Sequence, residues 1–157
     1  MVKKTRKNKS KIHIGSGKIY EKKNVDQKEY FIHKMAYDNN IPTPKPISID
    51  NDGTMKMDLV NGMSVADWYG DTSEGLKRIK DEGIMEEIRK IISSLKDLGI
   101  IYPDITGYNF IIDIDDDKKV YVIDFGDAFL IKKITRNIDF VDNFISGKSL
   151  IWNPDFK

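Results

Sequence analysis

Three residues of this chain carry oxygen donors at spacings that let them share one site. Asp104 and Asn109 stand five positions apart in IYPDITGYNF, and Asp124 follows fifteen positions after Asn109 in VIDFG. Carboxylate and amide oxygens are hard donors, the kind that Mg²⁺ takes when it bridges and neutralises phosphate oxygens. A turn rich in Asp, Gly and Asn also forms with no function at all. The elements around the three residues therefore decide what they are for.

Upstream of Asp104, IMEEIRKIISSLKDLG carries apolar residues at 84, 88, 91, 92, 95 and 98, the period of an amphipathic helix, with Gly99 as its stop. Downstream, NFIIDIDDDKKVYVIDF reads as two apolar strands around an acidic tip. The order is thus helix, polar loop, hairpin, then Asp124-Phe125-Gly126. Nearer the start, KIHIGSGKIYEKK alternates apolar and polar residues around a Gly-Ser-Gly turn and predicts two short strands. Asp26 can cap a helix over Gln27 to Asn39 with Tyr30, Phe31, Met35 and Ile32 on its buried side. Prolines 42, 44 and 46 keep the next segment extended. DNDG is a turn, and TMKMDLVNG a strand ending at Asn61-Gly62. A short helical turn is expected over 64–70, DTSEGLKRIKDEG reads as a polar helix-loop connection, and RNIDFVDNFISG as one more short helix.

The set D-x-x-x-x-N followed by D-F-G, with these flanking elements, resembles the catalytic and metal-binding loops of the protein-kinase-like superfamily. The resemblance implies an α+β, two-lobed fold with a reduced N-lobe sheet and a truncated helical C-lobe. It divides the chain into a basic tail at 1–11, a small ATP-binding lobe at 12–62 and a helical lobe at 63–157. By that resemblance Asp124 and Asn109 would hold Mg²⁺ and Asp104 would orient or deprotonate an acceptor hydroxyl, with ATP as phosphoryl donor. Glu29, on the helix before IPTP, is placed much as in small atypical kinases such as the KEOPS-associated, lipopolysaccharide core and aminoglycoside kinases. MDLVNG resembles their hinge run, with Met57 as gatekeeper and backbone groups of Asp58 and Val60 toward adenine. Lys22 is the first candidate for the phosphate-anchoring lysine and Lys18 the second, since two-residue alternation puts both on one face. If the first hairpin instead spans both, the lysine strand is missing.

Several residues depart from the family pattern. GSGK lacks the G-x-G-x-x-G spacing, and it is not a Walker loop, because Ile12 and Ile19 stand where Gly and Ser or Thr are needed. Gly15 and Gly17 would still let the backbone approach a phosphate, and they suit a simple hairpin turn equally well. Tyr102-Pro103 replaces the common His-Arg, Thr106 replaces a frequent lysine, and no Ala-Pro-Glu segment follows Gly126. Control by loop phosphorylation and an ordinary peptide platform are therefore not expected. An EF-hand reading of DIDDDKKVYVID fails at Lys118, where the sharp turn needs Gly, and at Asp124, where Glu is needed. His13 and His33 have no ligand partners at metal spacing, and Trp68 and Trp152 read as packing residues.

The 157 residues suit one domain, and 39% hydrophobic with 32% charged residues is ordinary for a globular protein. A net charge of +1 argues for no polyanionic partner overall. The charge is uneven, however: six of the first eleven residues are Lys or Arg, a solvated tail or an arm for nucleic acid or an acidic partner. With no cysteine there are no disulfides or thiolate metal sites. No apolar run can span a bilayer, and a cytoplasmic location is the expectation. The resemblance carried by Asp104, Asn109 and Asp124 implies an ATP- and Mg²⁺-dependent phosphotransferase, an atypical serine/threonine protein kinase. A catalytically inactive kinase-like binding scaffold is the alternative.

Overall fold

The computed structural model describes residues 17–70, 72–115, 119–133 and 138–153. The basic run 1–11, the Gly15 turn with its first strand, His13 and most of the acidic hairpin tip lie outside the described residues.

The small lobe comprises β1 (Ile19–Lys22), α1 (Gln27–Asp38), β2 (Pro46–Ile49) and β3 (Met55–Asp58), and its antiparallel sheet has the order β1-β3-β2. Pro46 opens an edge strand, where a missing N–H costs no ladder bond. The Asp50–Gly53 turn closes with Gly53 N–H donating to the Asp50 carbonyl at 3.0 Å. Val25, Met55 and Met57 form the lobe's own core, with Tyr30 and Ile49 against it.

Helix α1 starts where Asp26 accepts a hydrogen bond from Glu29 N–H at 2.7 Å. Its buried residues are Glu29, Ile32, His33 and Ala36, three to four apart as one helical face requires. This corrects the expected apolar face: Phe31 is 58% exposed, because it lies off the stripe that Glu29 begins, and Tyr30 and Met35 are only partly covered.

The large lobe follows with β4 (Gly62–Ser64), α2 (Val65–Tyr69), α3 (Ser73–Asp81), α4 (Ile84–Asp97), β5 (Ile100–Ile101), β6 (Phe110–Asp113), β7 (Val120–Val122), β8 (Phe129–Leu130) and α5 (Ile138–Ile145). Strand β3 stops at Asp58, short of the expected Asn61-Gly62. Gly62 instead opens β4, which pairs with β6 in a β4-β6-β7 sheet, so a boundary at 62/63 falls inside β4. The polar segment expected to be a connection is helix α3, capped by the Thr72 hydroxyl. It buries little beyond Gly75 and Ile79, too short an apolar stripe to stand out.

Helix α4 is the central pillar. Ile84, Met85, Ile88, Ile91, Ile92 and Leu95 are buried in one large core with Val65, Phe110, Val122, Phe125 and Phe144. Gly99, with φ of 81°, turns the chain out of the helix into β5, which pairs with β8. The loop that carries Asp104 and Asn109 lies between β5 and the β6–β7 hairpin.

Leu95→Ala is expected to lower the unfolding free energy in urea by about 3 kcal/mol. Phe31→Ser should stay within about 0.5 kcal/mol of wild type. Equal losses at the two positions would contradict this assignment of the core.

Candidate active site

Lys22 is the last residue of β1, and period-two alternation turns it with Tyr20 toward the second lobe. Its Nζ lies 2.5 Å from Glu29 Oε1 and 2.8 Å from Asp124 Oδ1. One ammonium thus joins the small sheet, helix α1 and the loop after β7. Burial works to lower the Lys22 pKa, but the bonds and charges of Asp124 and Glu29 outweigh it and hold it above the ordinary value. Glu29 is 6% exposed; burial pushes its carboxyl up and Lys22 pulls it back. Lys18 does not join this group. It lies before β1, where its carbonyl accepts from Leu59 N–H at 2.9 Å, and the cleft is lined without it.

That cleft has a volume of about 300 Å³ and lies between the lobes. Tyr20, Pro44, Met57, Ile111 and Ile123 give it apolar walls, the hinge run Asp58–Val60 forms one edge, and Lys22 and Asp124 supply its charge. In the hinge, Asp58 N–H donates to the Lys45 carbonyl and the Val60 carbonyl accepts from Gly62 N–H, each at 3.0 Å.

Asp124 adopts φ of 61°, a left-handed conformation that is uncommon outside glycine and gathers at functional sites. Its Oδ1 accepts from Gly126 N–H at 3.2 Å, and its side chain is 44% exposed. Phe125 is buried beside it. The Phe125 ring stacks on His33 with centroids 4.9 Å apart and meets Tyr102 edge-on at 5.6 Å.

In the catalytic loop, Asn109 Nδ2 donates to the Asp104 carboxylate at 2.5 Å and to the Asp104 carbonyl at 3.1 Å. The amide oxygen is then the Asn109 atom left for a cation. Asp104 is raised to about 6, by burial first, against the Asn109 hydrogen bond, with Asp127 and Asp124 adding to the rise and Lys22 opposing it. A carboxylate poised there can accept a proton near neutral pH.

Two residues with no assigned role in the sequence complete the frame. The Tyr102 hydroxyl donates to the Ile123 carbonyl at 2.6 Å, tying the catalytic loop to the strand that leads into Asp124. Its place before Asp104, in a position usually held by His, was the available signal. His33 Nε2 lies 2.7 Å from the Pro44 carbonyl and 2.9 Å from Thr43 Oγ1, so it links α1, the proline segment and Phe125. Burial holds His33 near 4, with the Pro44 bond opposing and Lys22 adding to the fall. It is buried and neutral, and its role is structural.

The donor set suits Mg²⁺ with a nucleotide. Among the described residues no group of three or more His, Cys, Asp or Glu could hold a metal alone. Mg²⁺ is commonly held by one or two carboxylates together with substrate phosphates, and Asp124 with the Asn109 oxygen would be the protein's share of such a set.

A model of the RIO domain matches residues 1–140, so the chain belongs to the RIO domain family of atypical protein kinases. Among solved structures, it is similar to a Rio2 kinase from Chaetomium thermophilum in a complex with ADP, Mg²⁺ and phosphoaspartate. The TM-score is 0.54 at 20% identity, covering 76% of this chain and 35% of that one. The chain thus spans about a third of the length of that kinase chain. No curated protein sequence matches it.

Because the folded pKa of His33 is depressed, the unfolded chain takes up the proton first as pH falls. The stability owed to neutral His33 is therefore complete above about 6.5 and lost as pH falls toward about 4. Urea unfolding of wild type between pH 7 and 4 should lose about 3 kcal/mol more than His33→Gln. Identical pH dependence in both proteins would refute the assignment.

Proposed function

We propose that this chain is an ATP- and Mg²⁺-dependent phosphotransferase acting on a hydroxyl acceptor, in the manner of a serine/threonine protein kinase. The observation that carries the reading is the Lys22 ammonium held between Glu29 and Asp124 at the mouth of an apolar cleft. Membership of the RIO domain family supports it. The narrower likeness to the KEOPS-associated, lipopolysaccharide core and aminoglycoside kinases rests on Glu29, the proline segment and the hinge run alone.

Bound ATP would supply the phosphoryl group, and Mg²⁺ would neutralise its oxygens. The purine would lie against Met57, Ile111 and Ile123. The Asp58 carbonyl and Val60 N–H are the hinge groups that its polar edge calls on. Lys22 would hold phosphate oxygens, oriented by Glu29, while Asp124 and the Asn109 oxygen would hold the metal. Asp104, kept in place by Asn109, would take the proton of the acceptor hydroxyl. The basic run at 1–11 suits an arm for nucleic acid or an acidic partner. No helix among the described residues is long and apolar enough to cross a membrane, and a cytoplasmic location fits the reading.

ATP with Mg²⁺ at a hundred times its Kd should raise the melting temperature by roughly 5–10 °C. Asp124→Ala should remove the metal-dependent part. Transfer from labelled ATP should fall about 100-fold or more in Asp104→Asn, and wild-type kcat/KM should rise with pH through about 6 as Asp104 deprotonates. Absence of any nucleotide shift would overturn the reading. A shift without transfer would leave a catalytically inactive binding scaffold.

A further inference from the structure

After α5 the chain turns at Gly147 and crosses back beneath the catalytic loop. Ser149 N–H donates to the Asn143 carbonyl at 3.0 Å, and Leu150 and Trp152 pack against the large core. Asn153 is 1% exposed, an unusual place for an amide unless its polar atoms are bonded. Both its side chain and its backbone are used on one short target. Nδ2 donates to the Pro103 carbonyl at 2.5 Å, and the backbone N–H donates to the Ile105 carbonyl at 2.9 Å. These two carbonyls flank Asp104 on either side.

The same crossing closes the other end of the loop. A Cβ on Gly107 would stand 3.3 Å from Trp152 Cε2 and 3.1 Å from the Ala66 Cβ. The Gly107 carbonyl accepts from Ala66 N–H at 2.9 Å. The loop is thus gripped from α2 on one side and from residues 152–153 on the other. Within it, Ile105 N–H donates to the Pro103 carbonyl at 2.8 Å and Thr106 N–H to the Asp104 carbonyl at 3.0 Å. Such short local turns have few bonds of their own to fix their direction.

We propose that Asn153 is a positioning residue for Asp104: its two hydrogen bonds to the carbonyls of Pro103 and Ile105 fix the backbone that aims the Asp104 carboxylate at the acceptor. The proposal rests on Asp104 being the group that handles the acceptor's proton. It does not involve the nucleotide cleft, which Asn153 does not line. Loss of Asn153 therefore acts on the chemical step and not on ATP binding. A displacement of about 1 Å in a reacting group costs up to about 100-fold in rate.

The test compares full-length wild type with Asn153→Ala, and with Ile151→Ala as a control, since Ile151 is 52% exposed on the same segment. In Asn153→Ala, hydrogen exchange at the Ile105, Thr106 and Asn109 amides should quicken at least tenfold, while that in β6 and α4 stays as in wild type. The kcat for phosphoryl transfer should fall about 10- to 100-fold with KM for ATP within about twofold, and Ile151→Ala should change neither. Unchanged loop exchange, or exchange that quickens equally across α4 and β6, would overturn the proposal. So would a rise in KM for ATP with kcat intact. If wild type transfers no phosphate, the reading of Asp104 fails, and with it the role given to Asn153; confined loop exchange would then show only that Asn153 holds the loop. Should Asn153→Ala lose the fold, Asn153→Ser carries the same readouts.

Discussion

The Lys22 ammonium stands between two carboxylates drawn from opposite ends of the chain, Glu29 on α1 and Asp124 after β7. Glu29 is buried, so its carboxylate needs a cation beside it, and Lys22 is shared between it and the more exposed Asp124. The contact ties β1 to α1 and to the loop after β7, while Ile32 and Ala36 of α1 pack into the large core. It also leaves the positive charge in the cleft, where phosphate oxygens could replace a carboxylate as its partner.

Around that contact the chain builds a buried back wall. His33, four residues along α1 from Glu29, stacks on Phe125, and Phe125 meets Tyr102, whose hydroxyl returns to the Ile123 carbonyl. Helix α1, the Asp124 loop and the catalytic loop are thus coupled through aromatic packing and two buried hydrogen-bonding side chains. Where Tyr102-Pro103 replaces a His-Arg pair, the tyrosine keeps a link to the segment that leads into Asp124 and the positive charge is gone.

Much of the site was legible because its parts lie close together in sequence. Asp104, Asn109 and Asp124 share one helix–loop–hairpin unit, and the helix period and strand alternation around them are strong local signals. The two-lobed α+β outline was implied by the resemblance of that unit to the protein-kinase-like superfamily. What escaped depends on contacts between distant segments. Phe31 looked like core by type, yet Glu29 and His33 take the buried face because the ammonium and the Phe125 ring wait there. Helix α3 has too few apolar residues to show a period. The two-residue strands β5 and β8 exist only through each other. Asn153 meets Pro103 across fifty positions, which no local pattern encodes.

The central claim is that Lys22 holds nucleotide phosphates only because Glu29 orients it. A double-mutant cycle on ATP–Mg²⁺ affinity, measured by calorimetry on wild type, Lys22→Met, Glu29→Gln and the double variant, tests it most directly. Each single change should weaken binding about tenfold or more, and the double variant should bind no worse than Lys22→Met. Additive losses would show that the two side chains act independently and would contradict the account.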